Sequence, residues 1–207
     1  VTQVIKTTDQ FMKWHEVAKT LNSHQDIWDG YFVLDNDLDF NGATYNAYWH
    51  WFNGREWGGL GYGFKGIFDG RGHVVDNLRI ATDGAWGSIF GQLTDTAQVK
   101  NIAFTNLVHG GKMAVIASGI NGKIENVYVH IKTIENGGDA TYNTSVFTEF
   151  RNESMQIVNC FAVIDPAAGV TEHTYGIGSC NAGKKVTLEN VCVVGETKGM
   201  TAGTVNA

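Results

Sequence analysis

Apolar and polar positions in this chain follow one recurring frame: an apolar residue, any residue, Asn, an apolar residue, any residue, an apolar residue. The copies are V-D-N-L-R-I around Asn77, V-K-N-I-A-F around Asn101, I-E-N-V-Y-V around Asn126, I-V-N-C-F-A around Asn159 and L-E-N-V-C-V around Asn190. Their asparagines stand 24, 25, 33 and 31 residues apart. A unit recurring at such a period predicts a solenoid, in which each turn of chain buries its apolar face only by stacking on its neighbours.

A second column precedes the first. Gly66-Ile67-Phe68, Ser88-Ile89-Phe90, Val115-Ile116-Ala117, Ser145-Val146-Phe147 and Gly176-Ile177-Gly178 each lie about ten to thirteen residues before an asparagine. Each unit therefore carries at least two short strands separated by a Gly-, Asn- or Asp-rich turn. The apolar residues around Asn126 do not split by parity, since Ile124, Val127 and Val129 are apolar while Glu125 and Asn126 are not. Asn must sit at a corner or bulge that shifts the alternation, a place it suits because it tolerates left-handed backbone angles. Stacked asparagines are also expected to bond to one another, as amide ladders do. This reading requires Asn77, Asn101, Asn126, Asn159 and Asn190 to align along one edge.

The opening departs from the repeat. Thr7 and Gln10 have capping-box spacing, and Phe11, Trp14, Ala18 and Leu21 follow at helical spacing, predicting an amphipathic helix from Asp9 to about Leu21. Its expected duty is to cover the open end of the stack. The division that follows is a helical cap over 1–30, a strand stack over 31–194 interrupted by an aromatic-rich insertion at 41–61, and a tail over 195–207. Polar loops over 135–144 and 165–174 separate units.

Composition narrows the function. The chain of 207 residues has a net charge of −6 and no basic cluster, which argues against nucleic-acid binding. No apolar run reaches membrane-spanning length. The start at Val1 without Met leads us to expect a segment of a longer polypeptide. Cys160, Cys180 and Cys192 do not form a disulfide framework, and Cys160, in an apolar slot, reads as a small buried hydrophobe.

From Tyr31–Ile80 onward, over nearly the whole chain up to Val194, the sequence resembles a known family. The strand Phe32-Val-Leu34-Asp-Asn-Asp37-Leu38-Asp39-Phe40, the turn Trp57-Gly-Gly-Leu60-Gly61 and the run Phe64-Lys-Gly66-Ile-Phe68-Asp69-Gly70-Arg-Gly72-His73-Val-Val75-Asp-Asn77-Leu78 are similar to the GLUG repeats of bacterial surface and secreted proteins. Gly87-Ser-Ile89-Phe90-Gly91 resembles the repeat's own core. The resemblance implies an all-β fold, a right-handed parallel β-helix lying outside the cell, beside other domains of the same polypeptide, with no cofactor. It assigns Trp57, Asp69 and His73 to turns rather than to chemistry. The last three units match less closely.

The segment from Tyr45 to Glu56 belongs to no part of that pattern. Three of the six tryptophans fall within residues 49–57. Tyr45, Tyr48, Trp49, His50, Trp51, Arg55 and Glu56 are the candidate ligand residues, because flat aromatics stack on the apolar faces of sugars while polar neighbours fix orientation. A plug of these rings over the first unit is the competing reading. Catalysis is poorly signalled. Glycoside hydrolysis needs paired carboxylates, a lyase needs a base with a cation beside it, and Glu125, Glu149, Glu153, Glu172 and Glu189 stand apart. Asp35, Asp37 and Asp39 share one strand face but lack the glycine and distal Glu of a calcium loop. No zinc spacing occurs among the histidines. The expectation is an extracellular or cell-surface binding and adhesion module without catalysis, metal or nucleic acid, its partner a polysaccharide or a host glycan. A polysaccharide lyase or hydrolase, and a plain spacer, are the alternatives.

Overall fold

The computed structural model describes residues 2–19, 29–46, 64–81, 88–91, 93–110, 113–117, 121–135, 144–148, 154–179, 185–202 and 205–206. They are mostly β, with one helix. The strands are β1 (Thr2–Ile5), β2 (Tyr31–Leu34), β3 (Leu38–Asp39), β4 (Thr44–Asn46), β5 (Ile67–Asp69), β6 (Val74–Asp76), β7 (Arg79–Ala81), β8 (Gln98–His109), β9 (Met113–Ala114), β10 (Lys123–Ile134), β11 (Thr144–Ser145), β12 (Ser154–Ile164), β13 (Thr174–Ser179), β14 (Lys185–Val194), β15 (Gly199–Ala202) and β16 (Val205–Asn206). The helix α1 spans Thr8–Lys19.

Every strand pair is parallel. The larger sheet runs β1-β2-β5-β8-β10-β12-β14-β16, with β3, β4, β6 and β7 joined at its side, and a smaller sheet runs β15-β13-β11-β9. The long strand β8 explains this branching. Its first part pairs with β5, its middle with β6 and its end with β7. What is three short strands in one layer is a single bent strand in the next.

The bends are the asparagines. Asn77, Asn101, Asn126, Asn159 and Asn190 all have φ between 52° and 54°, the left-handed region that Asn enters at lower cost than other non-glycine residues. Each bend shifts the in-out alternation by one. On β10, Ile124 points inward and Glu125 outward; after Asn126, Val127 and Val129 are buried while Tyr128 and His130 are only partly so. Asn126 Nδ2 donates to Asn101 Oδ1, and Asn190 Nδ2 to Asn159 Oδ1, each at 2.9 Å. The expected amide pairing is therefore present at these two steps.

One member of the expected row stands elsewhere. Asn101, Asn126, Asn159 and Asn190 share a register, bracketed by the pairs Glu125–Lys100, Glu125–Val158 and Val158–Glu189. Asn77 does not join them, because Asp76 pairs with Thr105, which brings Asn77 level with Asn106 (φ 51°). The place beside Asn101 is taken by the turn at Gly70, Arg71 (φ 53°) and Gly72, whose Gly72 N–H donates to the Asn101 carbonyl at 2.7 Å. Gly66-Ile67-Phe68 is displaced in the same way. It belongs to the larger sheet, while Ser88–Phe90, Val115–Ala117 and Ser145–Phe147 bond to one another on the smaller side. The physical reason for the place of Asn77 is that the earlier layers carry a second left-handed bend, at Asn77 and Asn106, and one local frame serves both kinds of bend.

The core is one continuous cluster of buried side chains, with a group of phenylalanines beside the first strands. Phe32, Phe64, Phe68, Phe90 and Phe104 are buried. Helix α1 packs on this cluster, its Phe11 and Trp14 lying against Phe32, Phe40, Phe68 and Phe90 at ring separations of 5.2–6.1 Å. Gln10 N–H donates to Thr7 Oγ1 at 3.2 Å, as the spacing predicts, but Gln10 Oε1 accepts from Lys6 rather than from Thr7. The last long strand is less covered. Leu188, Val191 and Val193 of β14 are only partly buried, whereas Ile157, Cys160 and Ala162 one layer below are enclosed. The segment expected to be a tail contributes strands: β15 pairs with β13, and β16 covers Val186 and Thr187.

Candidate functional site: the outer face of the long strands

The aromatic segment singled out in the sequence lies almost wholly outside the described residues: Tyr48, Trp49, His50, Trp51, Arg55 and Glu56 fall there, as does Trp57. Tyr45 is on β4, its backbone opposite Ile80.

The carboxylates of the first layers are tied to neighbouring layers. Asp35 bonds Lys6 and Arg71, at 3.0 and 3.2 Å. Asp37 accepts from the Val74 N–H and from His73 Nδ1, both at 2.9 Å, and these bonds hold its carboxyl below the usual range. Asp39 accepts from the Asn41 N–H and from Asn77 Nδ2. Asp69 is nearly enclosed and accepts from Asn101 Nδ2, the Arg71 N–H and the Tyr31 hydroxyl at 2.8–3.0 Å. Burial opposes its ionisation, but these donors and Lys100 outweigh that and lower its pKa. Gly70 is required beside it, since a Cβ there would come within 2.5 Å of the Asn101 carbonyl and Ile102 Cβ. Asp69, Gly70, Gly72 and His73 thus hold a turn. Among the described residues, no group of three or more His, Cys, Asp or Glu side chains is placed to hold a metal ion.

Among the described residues, the outer face of β8, β10, β12 and β14 is the surface that carries aromatic and amide side chains in register. The position two after each bend points outward, and successive layers place Ala103, Tyr128, Phe161 and Cys192 in register. Tyr128 and Phe161 stack, with ring centroids 5.7 Å apart and planes 23° from parallel. Phe161 is 40% exposed. The exposed amide edge of Asn126, Asn159 and Asn190 runs along one side of this stack. On the other side His130 Nδ1 accepts the Asn106 N–H at 3.4 Å, which puts the ring proton on Nε2, facing Asp165 Oδ1 at 2.9 Å. The sequence carries the signal for this pair in the unconstrained slot of the repeat frame, filled by Tyr in one copy and Phe in the next.

On the strand segment before the bend the outer face is polar. A groove of about 260 Å³ is lined by Asp95, Gln98, Asn121, Lys123, Ser154 and Gln156. Lys123 pairs in register with both Gln98 and Gln156, and its Nζ bonds Glu125 at 2.9 Å. Cys160 is enclosed on the inner side, where burial pushes its thiol up to about 11, while Cys192 is exposed next to Phe161. Cys180 lies outside the described residues. No family model, curated protein or solved structure matches this chain.

Proposed function

We propose that this chain is a right-handed parallel β-helix serving as a non-catalytic binding and adhesion module of a larger extracellular or cell-surface protein, with a glycan as its ligand. The all-parallel pairing, the layer-to-layer register and the helix packed beside the first strands support the architecture, in line with what the resemblance to GLUG repeats implies. The observation that carries the binding reading is the Tyr128–Phe161 stack, partly open to solvent beside a row of side-chain amides. Rings present an apolar plane to the C–H face of a sugar, and amides both donate to and accept from its hydroxyls. Tyr45, Tyr48, Trp49, His50, Trp51, Arg55 and Glu56 are proposed to add a second aromatic contact. Asp35, Asp37, Asp39 and Asp69 are each bonded to neighbouring strands or turns, which supports a structural use of these carboxylates.

Affinity electrophoresis through gels containing cellulose derivatives, β-1,3-glucan, xylan or polygalacturonate tests the reading. Retardation by at least one polymer is expected, and Phe161→Ala should weaken it by about 1–2 kcal/mol, or roughly tenfold. Mobility unaffected by every polymer would refute glycan binding and leave a spacer.

A further inference from the structure

We infer that the polar groove before the bend is a second sugar subsite, taking the hydroxyl edge of a neutral polysaccharide that lies along the stacking direction. This rests on the glycan reading above and deepens it by naming the class of chain and its orientation. Gln98, Lys123 and Gln156 leave from one register position on three successive strands, so their spacing along the stack is that of adjacent strands, about 4.8 Å. A linear sugar polymer parallel to the stack meets an equivalent side chain at each step. A polymer lying along the strands would meet a different set at every step.

The lining selects the chemistry. Amides and a hydroxyl, from Gln98, Asn121, Ser154 and Gln156, form much of the wall, and such groups match hydroxyls that both donate and accept. Lys123 is ion-paired to Glu125, and Asp95 lines the groove, so an anionic sugar would meet a carboxylate and an ammonium already engaged. Among the described residues no aromatic ring lines the groove, so these groups take hydroxyl edges and leave face stacking to Tyr128 and Phe161. The wall is built rather than incidental. Ser154 Oγ donates to Asn121 Oδ1 at 3.1 Å and fixes the direction of that amide. Gly122 holds φ at +97°, and a Cβ there would approach the Thr94 carbonyl to 2.7 Å.

Isothermal titration of the full chain with a soluble neutral β-glucan oligomer and, separately, an oligogalacturonate tests this. The double variant Gln98→Ala/Gln156→Ala should bind the neutral oligomer about tenfold more weakly, through two lost hydrogen bonds. Gln156→Glu, nearly isosteric, should also weaken it and guards against a double variant that folds poorly. Unchanged neutral-oligomer binding by both variants, with Phe161→Ala still weakened, would overturn the groove and spare the aromatic site. Tighter binding of the galacturonate than of the neutral oligomer would overturn the class assignment. If the unsubstituted chain binds neither oligomer nor any polymer in the gels, both readings fall.

Discussion

Asn126 offers the sharpest test of why asparagine recurs at the bends. Two effects are separable there: a left-handed backbone with φ of 52°, and a 2.9 Å bond from Nδ2 to Asn101 Oδ1. Asn126→Ala removes the bond, a net loss of about 1 kcal/mol, and places a Cβ-bearing residue without local side-chain compensation in the left-handed region, about 1 kcal/mol more. The sum of about 2 kcal/mol corresponds to a fall in Tm of about 4–8 °C for a chain of this length. Asn126→Gly loses the same bond and accepts the backbone angle freely, but adds the entropic cost glycine carries in the unfolded chain, about 0.4–1 kcal/mol, so its loss should be about 1.5 kcal/mol, smaller than that of Ala. Urea unfolding followed by far-UV circular dichroism, with thermal melts alongside, measures both. The order wild type, Gly, Ala is expected, with unchanged m values. Coincident Gly and Ala curves would refute the backbone argument, and a neutral Ala variant would refute the ladder as well.

Other consequences follow from burial and charge. Ile157→Ala, in an enclosed layer, should cost about 2–5 kcal/mol in urea unfolding, and Leu188→Ala, in the partly open last layer, clearly less; equal costs would contradict the uneven coverage. Asp69 has a folded-state pKa below its ordinary 3.8, so its contribution is present above about pH 4 and is lost as pH falls through the folded value. Urea midpoints should therefore drop below about pH 4, and Asp69→Asn should flatten that drop. In native protein at pH 8 a maleimide should label Cys192 rapidly and Cys160 only after unfolding, since the Cys160 thiol is enclosed with a pKa near 11. Prompt labelling at Cys160 by mass spectrometry would count against that packing. Ala103→Tyr, in register beside Tyr128, should extend the ring stack and retard the protein further in any gel that Phe161→Ala releases; no added retardation would count against a platform that runs along the stack.

Much of the fold is written in the chain because buried positions accept few residue types. The inward frame at Ile124, Val127 and Val129, the bend at Asn126 and the buried helix face at Phe11 and Trp14 follow from elementary rules of polarity and backbone angle. The misplacement of Asn77 has the same origin. A left-handed bend between two inward apolar residues looks alike whichever bend of a layer it serves, so local pattern fixes the conformation without fixing the layer. Only the pairing of Asp76 with Thr105, a contact between distant residues, separates the two. The strands β15 and β16 escaped notice for a related reason. They are only four and two residues long, and they are held by backbone bonds to β13 and β14 that need no sequence pattern.

The outer face obeys the opposite logic. The slot two after each bend is free to vary because it points away from the core, and it holds Ala103, Tyr128, Phe161 and Cys192 in turn. A side chain there cannot be chosen for core packing, so an aromatic pair in consecutive layers answers to something other than the core. Cross-strand ring stacking contributes only about 0.2–1 kcal/mol to a sheet, less than one well-buried leucine. A hydrophobe left 40% exposed forgoes much of even the ordinary return on burial. Fold stability alone is thus a weak reason to put Phe161 on that surface, and contact with a flat apolar ligand is a stronger one.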